Sequence, residues 1–82
     1  MDIRYDLAII GAGAIGIEFA DIYASLGANV TVIEALPNLL PNEDLEISKA
    51  LERSFQKRKI EFYTSTKVLS ASTNKSVQLK LE

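Results

Sequence analysis

Apolar residues along this chain form short continuous runs separated by segments with helical spacing. The first run, Leu7–Ile10, is unbroken, which is typical of a central parallel strand buried on both faces. A second run, Val30–Ile33, follows about twenty residues later and ends at the acidic Glu34. The pattern predicts two strands joined by a helix.

The segment between these runs predicts a helix that begins near Ala14. Its large apolar residues fall at spacings of four, three, one and three, which predicts a single stripe facing the sheet: Ile15, Phe19, Ile22, Tyr23 and Leu26. Glu18, Asp21 and Ser25 are then expected nearer solvent. Gly27 is predicted to end the helix as its left-handed C′ residue.

A loop with a proline near each end, residues 35–42, precedes a second predicted helix from about Glu43 or Asp44 to about Lys57. Its apolar face is predicted to comprise Ile47, Ala50, Leu51, Ser54 and Phe55. The basic residues Arg53, Lys57 and Arg58 are interpreted as complementing the helix dipole on a solvated face. A phosphate or RNA patch is the less favoured alternative, because no aromatic residues interleave the charges.

Residues 60–64 have the β-branched and aromatic content of a third strand. Residues 67–73 and 76–81 alternate weakly around Asn74-Lys75, which predicts an antiparallel hairpin. Right-handed crossovers give an α/β fold with a parallel sheet in the order 3-2-1, two helices and a C-terminal β-hairpin.

The sequence Gly11-Ala12-Gly13-Ala14-Ile15-Gly16 joins the first strand to the first helix. Gly11 permits a sharp turn, Gly13 leaves room for a pyrophosphate beside the backbone, and Gly16 allows close packing of helix on sheet. The amides near Ala14 and Ile15 are free to bind phosphate oxygens at the positive end of the helix dipole. The alternative is a glycine-rich turn without a ligand.

Glu34 lies eighteen residues beyond Gly16, at the end of the second strand, where a carboxylate can accept both hydroxyls of a ribose. The alternative is an ordinary solvent-facing acid. A 2′-phosphate would meet like charge there, and no lysine or arginine occurs between Arg4 and Lys49, so NAD(H) is favoured over NADP(H). The whole chain, residues 1–82, is therefore predicted to be one NAD-binding domain, a Rossmann-like three-layer unit.

The composition of the chain limits the partners and the reactions that can be expected of it. The chain has 82 residues, 48% of them hydrophobic and 24% charged, as in ordinary globular domains. A net charge of −2 argues against nucleic acid as a partner. With no cysteine and no histidine, the chain lacks a thiol redox centre and the commonest general base and metal ligand, so no catalytic residue and no metal site is predicted.

The longest apolar stretch, residues 7–17, is too short to span a bilayer. It also lacks the positively charged flank of a signal peptide. We therefore expect a cytoplasmic protein that does not bind membranes.

Four segments resemble the NAD-binding domain of the pyridine nucleotide-disulfide oxidoreductases, and within that family its dihydrolipoamide dehydrogenase (E3 component) branch. They are residues 10–20 (IGAGAIGIEFA), 26–34 (LGANVTVIE), 46–51 (EISKAL) and 66–68 (TKV). The resemblance implies that Glu18 lies near the nicotinamide end of NAD, Ile15 beside the nicotinamide ring and Val68 against the adenine. Without a ligand, Glu18 is an exposed helix acid and Val68 a plain strand residue.

In that family the redox-active cysteine pair, a His-Glu pair and FAD belong to other domains, so the resemblance implies an oxidoreductase parent, a flavoprotein that reoxidises dihydrolipoamide with NAD⁺. This chain alone is expected to be inactive, with FAD only in the full-length parent. The parent is expected to be a homodimer within a 2-oxo acid dehydrogenase complex.

Two alternatives remain open. Residues 1–7 also resemble the start of the family's FAD domains, whereas Glu18 favours the NAD domain. The second alternative is a non-catalytic assembly module that retains the fold. Because the chain is expected to stop before the strand that would flank the first one, a free strand edge and self-association are predicted.

Overall fold

The computed structural model describes residues 5–74 and 76–82, with the backbone alone for residues 70, 72–74, 76–78 and 80. The elements, in chain order, are β1 (Leu7–Ile10), α1 (Ala14–Ser25), β2 (Val30–Ile33), α2 (Leu45–Lys57), β3 (Glu61–Tyr63), β4 (Val68–Asn74) and β5 (Ser76–Leu81). β4 and β5 form the predicted antiparallel hairpin. Lys75, which was predicted to lie in its turn, is outside the described residues.

The first three strands form a parallel sheet in the order β1-β2-β3. This is the predicted 3-2-1 order read from the opposite edge, and it confirms the predicted α/β fold. Both crossovers step in the same direction, so right-handed connections place both helices on one face of the sheet. The central strand is β2, and all four of its residues are buried.

The prediction that β1 is buried on both faces is wrong, whereas its place at the end of the described sheet agrees with the predicted 3-2-1 order and free strand edge. β1 lies at the edge of the described sheet, and Ile10 is 61% exposed. Leu7, Ala8 and Ile9 are half-buried. An apolar run indicates that a strand is poor in polar residues, but it does not indicate how many strands flank that strand.

The prediction for the buried face of α1 is also wrong. All five residues of the predicted stripe are exposed, and the helix instead packs on the sheet through the fully buried Ala20, with Ile17 and Ala24 half-buried beside it. These positions lie on the opposite side of the helix from the large apolar residues. Small side chains allow α1 to approach β1 and β2 closely, and this approach decides which face is buried.

The end of α1 is a Schellman motif, as the position of Gly27 predicted. Gly27 has a φ of +95°, and its N–H donates to the Ala24 carbonyl at 3.0 Å. The N–H of Ala28 donates to the Tyr23 carbonyl at 3.1 Å. Both bonds satisfy carbonyl groups that have no partner within the helix.

The predicted extent of α2 is confirmed, with Asp44 at its N-cap, but its buried face differs from the predicted one. Phe55 and Ser48 are buried and Leu51 is half-buried, whereas the predicted core residues Ile47, Ala50 and Ser54 are exposed. The Ser48 hydroxyl donates to the Leu40 carbonyl at 3.2 Å, so a polar residue is tolerated in the core because it has a partner.

Arg58 does more than complement the dipole of α2. Its guanidinium forms an ion pair with Asp21 at 2.6 Å and donates to the Ser25 hydroxyl at 3.2 Å. Both partners lie on α1, so Arg58 joins the end of α2 to α1. The side chains are partly exposed, so the pair contributes more to orientation than to stability.

The C′ residue of α2 generates a prediction about stability. Lys59 has a φ of +60° and closes a second Schellman motif, in which the buried Ile60 donates to the carbonyl of the buried Phe55 at 2.9 Å. A Cβ is unfavourable in this conformation, so Lys59→Gly should raise the free energy of unfolding by about 0.5–1 kcal/mol. Urea denaturation followed by circular dichroism measures the change.

Lys59→Ala is the matched control, because it removes the same side chain and keeps the Cβ. It should leave the free energy of unfolding within about 0.5 kcal/mol of the original. An equal gain in both variants would show that the lysine side chain, and not its backbone conformation, is destabilising.

Candidate nucleotide-binding site

The glycine turn and Glu34 lie side by side because the carboxyl ends of β1 and β2 are adjacent. Ile10 is in register with Ile33, and the Gly11 N–H donates to the Ile33 carbonyl at 2.8 Å. The turn after one strand and the acid after the next therefore meet at the same edge of the sheet. This edge is where parallel α/β sheets bind their ligands.

Two glycines of the turn are required by its geometry. Gly11 has a φ of +102°, a conformation that other residues rarely adopt. A Cβ on Gly16 would clash with the Gly11 carbonyl oxygen and come within 3.3 Å of the Ile9 side chain. Gly16 therefore allows α1 to start directly against the turn.

Gly13 differs from both, because open space surrounds it. It is the N-cap of α1, with an extended backbone, and a Cβ built there meets no atom within 4 Å. No side chain caps this helix end, and Ala14 and Ile15 are exposed. The first-turn amides therefore face an uncovered surface at the positive end of the helix dipole.

Glu34 is buried, at 8% exposure, and both of its carboxylate oxygens are hydrogen-bonded. One oxygen accepts the Ala12 N–H at 2.9 Å and the other accepts the Leu36 N–H at 2.9 Å. The alternative of a solvent-facing acid is therefore excluded. A carboxylate offers about four acceptor sites, so two remain for hydroxyl donors.

The loop that follows Glu34 is bonded to the glycine turn through Leu40. The Leu40 N–H donates to the Ala12 carbonyl at 2.9 Å, and the neighbouring Leu39 is fully buried. The Leu39 N–H in turn donates to the Glu52 carboxylate at 3.3 Å. Within the described part of the chain, no lysine or arginine is bonded to Glu34 or Glu52.

The other predicted site residues are Val68 and Glu18. The Thr66 N–H donates to the Glu34 backbone carbonyl at 3.0 Å, and the half-buried Val68 begins β4 two residues later. Glu18 lies in α1, exposed, and no hydrogen bond or ion pair of the described residues joins it to Glu34. The structure thus brings together the glycine turn, the start of α1 and Glu34.

Sequence reasoning missed three contacts of this site: the Ala12–Glu34 bond, the Leu40–Ala12 bond and the Ser48–Leu40 bond. The buried Ser48 of α2 was assigned to no role. No pattern of residues signalled these contacts, because each joins segments separated by at least eight positions. None of the described helices is long and apolar enough to cross a membrane, and no described group of acidic residues could hold a metal ion.

A parallel βαβ unit with a glycine turn, an uncapped helix start and an acid at the end of the second strand defines a nucleotide-binding unit of the Rossmann type. The profile of the pyridine nucleotide-disulphide oxidoreductases matches residues 6–82. The chain belongs to this family, which confirms the family predicted from the sequence.

Dihydrolipoyl dehydrogenases are among its relatives. The protein from Mycobacterium leprae (strain TN) is 50% identical over 70 residues, which are 85% of this chain and 15% of that protein. The mitochondrial protein from Schizosaccharomyces pombe is 46% identical over 77 residues, which are 93% of this chain and 15% of that protein. This chain therefore spans about one-seventh of the length of such relatives.

Solved structures show the same fold. The water-forming NADH oxidase from Lactobacillus brevis, bound to NADH, superposes with a TM-score of 0.87 at 26% identity, covering 93% of this chain and 17% of that one. LpdA from Mycobacterium tuberculosis superposes with a TM-score of 0.81 at 32% identity, covering 99% of this chain and 18% of that one.

The two kinds of glycine in the turn should respond differently to a methyl group. Gly16→Ala should lower the free energy of unfolding by about 2–3 kcal/mol, because the Cβ meets the Gly11 carbonyl and the backbone must shift. Gly13→Ala should cost less than about 1 kcal/mol, because the space is open and only the N-cap preference changes. Urea denaturation of both variants tests this; equal losses would contradict the close approach of α1.

The buried carboxylate should also be needed for stability. In Glu34→Gln the amide oxygen can still accept one backbone N–H, but the amide NH₂ faces the other one. The free energy of unfolding should therefore fall by about 2 kcal/mol. Glu46→Gln, an exposed change of the same kind on α2, should stay within about 0.5 kcal/mol of the original. Denaturation midpoints that coincide for the two variants would argue against the Ala12 and Leu36 bonds.

Proposed function

We propose that this chain is an NAD(H)-binding module of a dihydrolipoamide dehydrogenase-like flavoprotein, and that residues 1–82 form one domain of it. The observation that carries the proposal is the 2.9 Å bond between the Ala12 N–H and Glu34. It fixes a carboxylate against the glycine turn, where a ribose and a pyrophosphate would be neighbours.

The residues present fit such a ligand. The open space at Gly13 admits a pyrophosphate close to the backbone, and the amides of Ala14 and Ile15 supply donors. The two remaining acceptor sites of Glu34 suit the two hydroxyls of an adenosine ribose. From the resemblance to the family, Val68 would contact the adenine, and Glu18 and Ile15 would lie toward the nicotinamide.

The electrostatics of the site favour NAD(H) over NADP(H). A 2′-phosphate would stand beside the Glu34 charge, and residues 35–40, which follow it, contain no lysine or arginine. The Lactobacillus brevis oxidase, whose fold is the same, is bound to NADH, which supports the same ligand class here.

The chemistry of the parent would come from elsewhere. NAD supplies a hydride acceptor when bound, but this chain has no cysteine and no histidine to exchange protons or electrons with a dithiol. The module would bind and orient the nucleotide, while other domains supply FAD and the redox-active pair. The proposed parent is a cytoplasmic homodimer that reoxidises dihydrolipoamide within a 2-oxo acid dehydrogenase complex.

An NMR titration with NADH tests the proposal. Amide signals of residues 11–16 should shift, with a dissociation constant on the order of 1 mM, because this chain contributes one strand-helix-strand unit of the site. NADPH should bind at least about tenfold more weakly, because its 2′-phosphate faces Glu34. No shift at millimolar NADH would refute NAD binding by this chain.

Gly13→Ala is the most informative variant, because it should keep the fold while occupying the space for the pyrophosphate. It should weaken NADH binding at least about tenfold. Glu34→Arg should weaken it as well, although that change also removes two structural hydrogen bonds. Glu46→Arg, on the exposed face of α2, is the matched charge control and should leave binding unchanged.

FAD is the competing ligand, since residues 1–7 resemble the start of the family's FAD domains. If FAD were the natural ligand, purified protein would be yellow, or added FAD would shift the same amides more strongly than NADH does. A colourless protein that responds to NADH alone supports the NAD module.

A further inference from the structure

A continuous series of hydrogen bonds links α2 to the glycine turn. The Ser48 hydroxyl of α2 donates to the Leu40 carbonyl at 3.2 Å, and the Leu40 N–H donates to the Ala12 carbonyl at 2.9 Å. From the other direction, the Ala12 N–H donates to the Glu34 carboxylate at 2.9 Å. The turn is therefore fixed from α2 as well as from the acid that follows β2.

The contact between α2 and the loop that follows Glu34 is made by two side chains. Ser48 is buried, at 1% exposure, where a hydroxyl is costly unless it is hydrogen-bonded. Glu52 lies one helical turn later on the same side of α2, and its carboxylate accepts the Leu39 N–H at 3.3 Å. Two residues of α2 thus hold two consecutive residues of the loop, Leu39 and Leu40.

Leu40 is held in a conformation that leucine rarely adopts. Its φ is +48°, in the left-handed region where a Cβ crowds the following carbonyl oxygen. Such a conformation persists where its surroundings fix it, and here both backbone polar groups of Leu40 are bonded. Its carbonyl accepts the Glu43 N–H at 2.9 Å as well as the Ser48 hydroxyl. Because the Glu43 bond lies within the loop itself, Ser48 supplies the link from Leu40 to α2.

The bond from Leu40 to Ala12 sets the direction of the next amide. In a trans peptide the C=O and the N–H point in opposite directions across one planar group. The Ala12 carbonyl points at Leu40, so the Gly13 N–H of the same peptide points away from the loop. Among the described residues no acceptor is bonded to this N–H, and Gly13 is exposed. Rotation of this peptide would turn an amide away from the space proposed for the pyrophosphate.

We infer that Ser48 is a positioning residue for nucleotide binding. Through Leu40, its hydroxyl fixes the orientation of the Ala12–Gly13 peptide and so presents the Gly13 N–H to a phosphate oxygen. The inference rests on the proposed function, because it assigns a role within the same site. Ser48 acts through the backbone of Leu40 and not by contact with the ligand, whereas a purely structural serine would affect stability alone.

NMR of the chain without ligand tests the positioning. In the original chain, a scalar coupling across the hydrogen bond should connect the Leu40 amide nitrogen with the Ala12 carbonyl carbon. In Ser48→Ala this coupling should be lost and the Gly13 amide signal should shift. Ser54→Ala, which changes an exposed serine of the same helix, is the matched control and should alter neither signal. Circular dichroism should show equal helix content in all three proteins.

Titration with NADH tests the consequence for binding. Ser48→Ala should bind NADH about fivefold more weakly than the original chain, the loss expected when one hydrogen bond no longer holds the amide. Ser54→Ala should bind as the original chain does. Ser48→Cys keeps the volume of the side chain but donates only weakly, so it should show the same loss and replaces Ser48→Ala if the alanine variant does not fold.

A second substitution tests the part assigned to Leu40. Asparagine adopts a positive φ more readily than leucine and has a side chain of similar size. The double variant Ser48→Ala/Leu40→Asn should therefore recover most of the NADH affinity that Ser48→Ala loses.

Three results would overturn the inference. The first is a coupling between Leu40 and Ala12 that persists in Ser48→Ala, because the bond would then not depend on the hydroxyl. The second is a Ser48→Ala chain that is less stable but binds NADH as tightly as the original chain. The third is a double variant that binds no better than Ser48→Ala. If the original chain binds no NADH, the proposed function fails, while the coupling measurement still decides whether Ser48 orients the peptide.

Discussion

The hydrogen bond between the Ala12 N–H and the Glu34 carboxylate is the interaction on which the arrangement of this site depends. It joins the turn after β1 to the end of β2 across 22 positions of sequence. The carbonyl of the same residue, Ala12, accepts the Leu40 N–H, so the turn is held from two sides. A buried carboxylate without such donors would be costly, so the turn stabilises the acid as the acid stabilises the turn.

Under the proposed function this residue has a second purpose. The carboxylate that fixes the turn would also accept the hydroxyls of a ribose, because only two of its acceptor sites are used by the backbone. A nucleotide bound as proposed would meet an acid that the chain already holds in position. Binding energy would then not be spent on ordering it.

Close packing of α1 on the sheet is the second constraint. Gly16 and Ala20 are small residues, and their close approach to the sheet turns the large residues such as Phe19 outward. A helix with apolar residues on two faces has two candidate buried faces, and periodicity alone selects the one with the larger side chains. Here the smaller face is buried, because the turn at Gly11 brings the helix start within contact of the strand.

The sequence by itself determined the local structure: the strands, the extents of both helices, the left-handed Gly27, the parallel order of the sheet and the family. These follow from backbone preferences and short-range patterns, in which each residue constrains its own neighbours. Only the tertiary structure decided that Ile10 of β1 is exposed, that Ala20 faces the core, that Arg58 pairs with Asp21 and that Glu34 is buried. These features depend on which distant segments come into contact, and the spacing of residues along a chain carries little information about such contacts.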